Sequence, residues 1–136
     1  MGIRLVHYSV MTNHLHFVCE VQDEGALSRG IKGLSVRIAR ALNRIWKRSG
    51  RVFADRYHAH VLKTPREVRI VLAYVLRNAT HHGIHLVGPD PCSSGAGFDG
   101  WIGLPRGFCT VIDTAFPTAV TWLLALGWRR HGLIVM

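Results

Sequence analysis

The apolar period of this chain changes at Asp23, and that change constrains the fold more than any other feature of the sequence. Before it, Ile3 to Val10 and His14 to Val21 are short runs rich in β-branched and aromatic residues. Met11-Thr12-Asn13 separates them, a connection compatible with a hairpin. After it, Leu27, Ile31, Leu34, Ile38, Leu42 and Ile45 recur at steps of three and four, which predicts an amphipathic helix from about Asp23 to Arg48, ended by Ser49-Gly50. Tyr57 to Leu62 reads as a strand. A second helix has an explicit start: Thr64 as N-cap, Pro65 at the first helical position and Glu67 to complete a capping box. It is predicted to run to about His82 and stop at Gly83, with Val68, Leu72, Val75 and Ala79 as its core stripe. This order predicts an α+β chain, and 136 residues suffice for one core but not for two.

Beyond Gly88 the pattern loosens. Pro89, Pro91, Ser93, Ser94, Gly95, Gly97 and Gly100 mark an irregular segment, followed by a candidate strand at Phe108 to Ile112 and a candidate short helix at Ala119 to Leu126.

Charge narrows the partners. Seventeen Lys+Arg against eight Asp+Glu give a net charge of +9 and a pI near 10.5, which favours a polyanion because each neutralised phosphate releases a condensed counterion. Hydrophobic content of 49% excludes a disordered basic tail. The three cysteines, Cys19, Cys92 and Cys109, show no CxxC spacing and are odd in number; this argues against a disulfide scaffold and suits a reducing cytoplasm. No signal peptide opens the chain, and the apolar stretch from Ala119 to Trp128 is too short to span a bilayer, so no membrane role is expected.

Three groups of residues could carry chemistry. His14 and His16 are two apart on a strand, so their imidazoles project from one face and could share a metal ion. A second such triplet, His58-Ala59-His60, shows how weak the pattern is alone in a chain with nine histidines. Tyr74 and Asn78 are four apart on the capped helix, about 40° from each other around its axis, and are expected to project side by side away from the core stripe. A phenol is a poor nucleophile at neutral pH unless a nearby cation eases loss of its proton. Finally, Arg37, Arg40, Arg44, Lys47, Arg48 and Arg51 align mostly along one side of the long helix without interleaved acids, where they could track a phosphate backbone.

The order of these elements resembles the single-tyrosine HUH transposases, and most closely the IS200-like branch associated with repetitive extragenic palindromes. Val10-Met11-Thr12-Asn13-His14-Leu15-His16-Phe17-Val18 resembles that family's metal strand, with Thr12 where a proline usually stands. Arg51-Val52-Phe53-Ala54-Asp55-Arg56-Tyr57-His58-Ala59-His60-Val61 is similar to the strand leading into the nucleophile helix, and Leu72-Ala73-Tyr74-Val75-Leu76-Arg77-Asn78 to the nucleophile segment. The resemblance covers residues 4 to 88, with a weaker echo at Asp90-Pro91-Cys92-Ser93-Ser94.

The resemblance implies a ferredoxin-like antiparallel sheet with packed helices. Residues 1–88 would be a partial catalytic domain and 89–136 an irregular extension with a short helix. It implies that His14, His16 and Asn78 hold a divalent ion, magnesium or manganese, and that Tyr74 attacks a phosphate of single-stranded or hairpin DNA, leaving a 5′-phosphotyrosine. Arg56 and His60 join the basic helix residues as DNA contacts. The family's domain begins with a strand and a helix upstream of the hairpin, so the chain is expected to be truncated at its N-terminus. The missing strand would then come from upstream sequence, from the C-terminal half, or from a second copy in a homodimer. The alternative reading is a basic nucleic-acid-binding remnant that kept the fold and lost cleavage.

Overall fold

The computed structural model describes residues 2–104 and 116–136, which divide into two compact units, Met1–Ile3 with Val21–Val61 and Arg4–Glu20 with Leu62–Met136. The candidate strand at Phe108 to Ile112 lies outside the described residues.

The first unit is built on α1 (Glu24–Ile45). Asp23 caps it, its carboxylate accepting the Ala26 N–H at 2.7 Å. The helix stops earlier than predicted because Lys47 turns into the left-handed region, at φ 50°. Of the predicted apolar stripe only Ile31 is buried; Leu27, Leu34, Ile38 and Leu42 are half-covered and Ile45 is exposed. The strand predicted over Tyr57 to Leu62 is absent. Residues 48–63 have no regular structure, and Tyr57 and Val61 are exposed. Their β-branched and aromatic character describes a fit to a half-buried pleated surface, and no sheet of this unit provides one.

The second unit opens with a hairpin of β1 (Ile3–Val10, from Arg4 onward) and β2 (Leu15–Val21, up to Glu20), closed by the Met11 N–H donating to the His14 carbonyl at 2.9 Å. The other edge of β1 meets the C-terminal half. Ser9 bridges Ser93, the Val10 N–H donates to the Cys92 carbonyl at 2.8 Å, and the Ser94 hydroxyl accepts the Tyr8 N–H at 3.1 Å. The capping box predicted for α2 (Pro65–Leu76) is formed: Thr64 Oγ1 accepts from the Glu67 N–H at 3.2 Å, and the Glu67 carboxylate accepts from the Thr64 N–H at 3.0 Å. The predicted stripe is buried in full, with Val68, Leu72, Val75 and Ala79 at most 3% exposed.

Against that stripe pack Val6 of β1, Val18 of β2 and a group from the C-terminal half: Phe98, Trp101, Leu124, Trp128 and Ile134. Phe98 stacks on Trp128 and meets Trp101 edge-on. Gly100 sits where a Cβ would come within 2.3 Å of the Trp128 ring, so only glycine lets these rings close. β3 (Trp101–Ile102) and β4 (Ile134–Val135) pair in parallel, and the Arg69 guanidinium donates to the Gly132 and Leu133 carbonyls, tying α2 to this half. Phe98, Trp101, Leu124, Trp128 and Ile134, all beyond residue 88, therefore share one core with the hairpin and α2. The candidate helix at Ala119 to Leu126 shortens to α4 (Trp122–Ala125). Ahead of it, buried Glu20 accepts from the Val120 and Thr121 N–H groups and the Thr121 hydroxyl; burial opposes its charge, yet these donors hold its pKa below the usual carboxylate value.

The class is α+β, as expected. The described strands form two two-stranded sheets and do not complete a ferredoxin-like sheet.

His7 of β1 generates a prediction. Burial pushes its pKa down to about 4, only partly offset by Asp99, and its Nδ1 lies 3.2 Å from Ser94 Oγ. The unfolded chain takes up a proton near the ordinary histidine value while the folded chain excludes it. Stability is therefore lost as pH falls from about 6.5 to 4, by up to roughly 3 kcal/mol. Urea midpoints measured across that range should fall in the wild type, and His7→Gln should flatten the dependence.

Candidate active site

The residues expected to carry chemistry meet in the second unit. Alternation along β2 sends Val18 into the core and leaves His14 and His16 half-buried at the same face. Their ring centroids are 4.9 Å apart, with the planes nearly perpendicular. His14 Nδ1 lies 2.7 Å from Asn13 Oδ1. An amide oxygen only accepts, so Nδ1 is the donor in this hydrogen bond. His16 Nε2 is buried and has no hydrogen-bond partner. Burial lowers the His16 pKa, and the neighbouring His14 and His82 lower it further, so this imidazole favours the neutral form that a cation needs.

Tyr74 projects from α2 and is 43% exposed. The His16 ring stands nearly perpendicular to it, at 5.3 Å between centroids. Its other neighbour is His81, stacked at 5.2 Å with 25° between planes. His82 in turn lies 5.2 Å from His14. Five rings thus follow one another: His82, His14, His16, Tyr74, His81.

Asn78 departs from the expectation. It was expected to project beside Tyr74, and it is fully buried instead. Its Nδ2 donates to Ser9 Oγ at 3.4 Å, while Oδ1 is buried without a partner. The physical reason is a break in the helix: α2 ends at Leu76, Arg77 leaves helical geometry at φ −109° and ψ 17°, and α3 (Asn78–His81) begins a new turn. The one-turn offset that aligns residues i and i+4 holds only along a continuous helix.

His81 and His82 were missed by the sequence reading. The i+7 offset from Tyr74 to His81 spans the same break, so helical spacing did not mark either residue. Among the described residues, no three His, Cys, Asp or Glu side chains converge as placed to hold an ion. An amide completes the expected set, and the unpartnered His16 Nε2 and Asn78 Oδ1 are the two orphaned buried atoms among its members, so the donor chemistry fits a divalent cation.

The other expected contacts lie in the first unit. Arg37, Arg40, Arg44, Lys47, Arg48, Arg51, Arg56 and His60 are all exposed, and neither ion pair among the described residues involves any of them. Two of the arginines also hold the chain that follows α1. Arg48 donates to the Arg51 carbonyl at 2.8 Å, and Arg51 to the Phe53 and Ala54 carbonyls. His58 lies on the same exposed, irregular stretch as His60.

No helix among the described residues is long and apolar enough to cross a membrane. No curated protein and no solved structure matches the chain. The profile of one family does, described as Transposase IS200 like, over residues 1–78. That span holds β1, β2, α1, α2 and the residues Tyr74, His14, His16 and Asn78. With more than half of the chain matched, the protein belongs to the IS200-like transposase family, whose business is DNA.

Proposed function

We propose that this chain cuts and rejoins single-stranded DNA with Tyr74 as nucleophile. The observation that carries the reading is the exposed Tyr74 ring standing perpendicular to the half-buried His16 imidazole, beside His14. The Tyr74 oxygen forms a bond to a backbone phosphorus, the bond from that phosphorus to the 3′ oxygen breaks, and the released 3′ oxygen takes up a proton. The DNA is left joined to Tyr74 through its 5′ phosphate. Attack by a 3′-hydroxyl on that linkage restores a DNA strand and returns the phenol. His14, His16 and Asn78 would hold a divalent ion, which when bound polarises the phosphate and eases loss of the phenolic proton.

The exposed basic residues of α1 and the following segment would hold the strand by its phosphates. A second reading, DNA binding without cleavage, is favoured by one observation: Asn78 is buried and does not project beside Tyr74.

Incubation with single-stranded hairpin DNA and a divalent cation should give a covalent adduct, seen as a DNA-shifted band on a denaturing gel. Tyr74→Phe, which removes only the hydroxyl, should abolish it, and Tyr57→Phe should leave it largely intact. An adduct surviving Tyr74→Phe would defeat the assignment. Salt-sensitive binding with no adduct over a broad set of hairpins would select the second reading.

Binding tests the basic face separately. Affinity for single-stranded DNA should fall steeply with salt, and reversing the charges of Arg40 and Arg44 together should reduce the log–log slope by about 1.4 or more, at about 0.7 per lost phosphate contact. An unchanged slope would move the binding surface elsewhere.

A further inference from the structure

We propose that the exposed ring of Trp122, with Arg130 beside it, is a platform on which an unpaired base of the DNA strand stacks. The inference rests on the reading that the strand is single-stranded, and it does not depend on cleavage.

Trp122 opens α4, beyond the residues that the family profile matches, and is 49% exposed. Its backbone is held from both sides. Glu20 accepts from the N–H and hydroxyl of Thr121 just before it, and Leu124 and Trp128 just after it are buried in the core. The fold thus presents a large apolar ring to solvent from a fixed base.

The ring is fixed as well. A Cβ on Gly127 would lie 2.7, 3.0 and 3.0 Å from Cζ3, Cε3 and Cη2, three adjacent atoms of the indole. Distances so nearly equal place Gly127 against the flat face, since an approach to the edge would favour one atom strongly. Any side chain at 127 would push the indole away. Gly127 and Arg130 are three apart in a short 3-10 helix, Gly127–His131, where residues at that spacing superpose. Arg130 therefore leaves from the same side, and its guanidinium carbon lies over the ring at 4.8 Å from the centroid. Both contacts come from this one helix. With half its surface open, the ring keeps the face turned away from that helix for a ligand.

Charge identifies the ligand. Arg129 is paired with Asp99, whereas Arg130 is exposed and takes part in neither ion pair among the described residues. A flat apolar face bordered by such a cation matches a nucleotide, with the base on the indole and a phosphate on the guanidinium. Only an unpaired base has a face to offer, because a duplex hides its bases in the stack.

The test is fluorescence anisotropy of the full chain with three labelled ligands: oligothymidylate, an abasic chain of the same length, and duplex DNA. Trp122→Ala should weaken oligothymidylate binding at least about fivefold, with its salt slope unchanged. Abasic and duplex affinities should change less than about twofold, and Trp122→Phe should recover most of the loss. Arg130→Gln should lower the slope by about 0.7, one phosphate contact. Thermal melting shows whether each variant is folded. If Trp122→Ala melts early, the wild type still decides, since it should prefer oligothymidylate to the abasic chain. No such preference, unchanged affinity in folded Trp122→Ala, or equal losses on all three ligands overturns the proposal. A dimer that depends on Trp122, with DNA binding unaltered, overturns it in favour of a second copy. The two readings fail differently. Adducts formed while Trp122→Ala keeps full affinity would sink this inference alone, and Trp122-dependent binding with no adduct would sink cleavage alone.

Discussion

Burial of one face of α2 is the constraint on which the rest of the second unit depends. Val68, Leu72, Val75 and Leu76 are each at most 3% exposed, and they meet apolar residues from both hairpin strands and from the C-terminal half. A helix committed on that face has no rotational freedom, so the direction of Tyr74 on the opposite side follows from packing. The capping box fixes where the helix starts, and the two hydrogen bonds from Arg69 fix it lengthwise against the C-terminal segment. Each bond contributes about 1 kcal/mol, whereas the buried stripe contributes several times as much, so packing sets the orientation and polar contacts refine it.

The same packing explains what happens after Tyr74. Arg77 interrupts the helix, and the new turn carries Asn78 and Ala79 inward while His81 and His82 stay at the surface. Two consequences follow for chemistry. The amide of Asn78 is fully buried with its oxygen unpartnered, a costly arrangement. The two histidines extend the aromatic series at either end, His81 against Tyr74 and His82 against His14. A helix continued through residue 82 would not have divided these roles.

The first unit works by a different principle. Of its described residues only Ala26 and Ile31 are buried apolar groups, and the other side of α1 is covered with cations that take part in neither ion pair among the described residues. Charges so exposed contribute little to folding, because water already solvates them. Their use is long-range attraction of a polyanion, which tolerates modest variation in geometry and weakens with salt. The unit that carries the ring series depends on close packing, and the unit that carries the charges does not.

By itself the sequence determined the features that depend on nearest neighbours along the chain. The hairpin, both long helices, the Thr64 cap, the buried stripe of α2 and the pairing of His14 with His16 follow from period, cap chemistry and alternation, which act within a few residues. The family was legible for the same reason, since its motifs are local and ordered. Tertiary structure alone decided the rest. Tyr57 to Leu62 had the composition of a strand and no sheet to join. Asn78 had the spacing of a surface ligand and was drawn into the core by a break that nothing in the local pattern marks. Phe98, Trp101 and Trp128 looked like parts of an irregular extension, yet they close the core over α2, because contacts between residues distant in sequence depend on where the chain has already been forced to go.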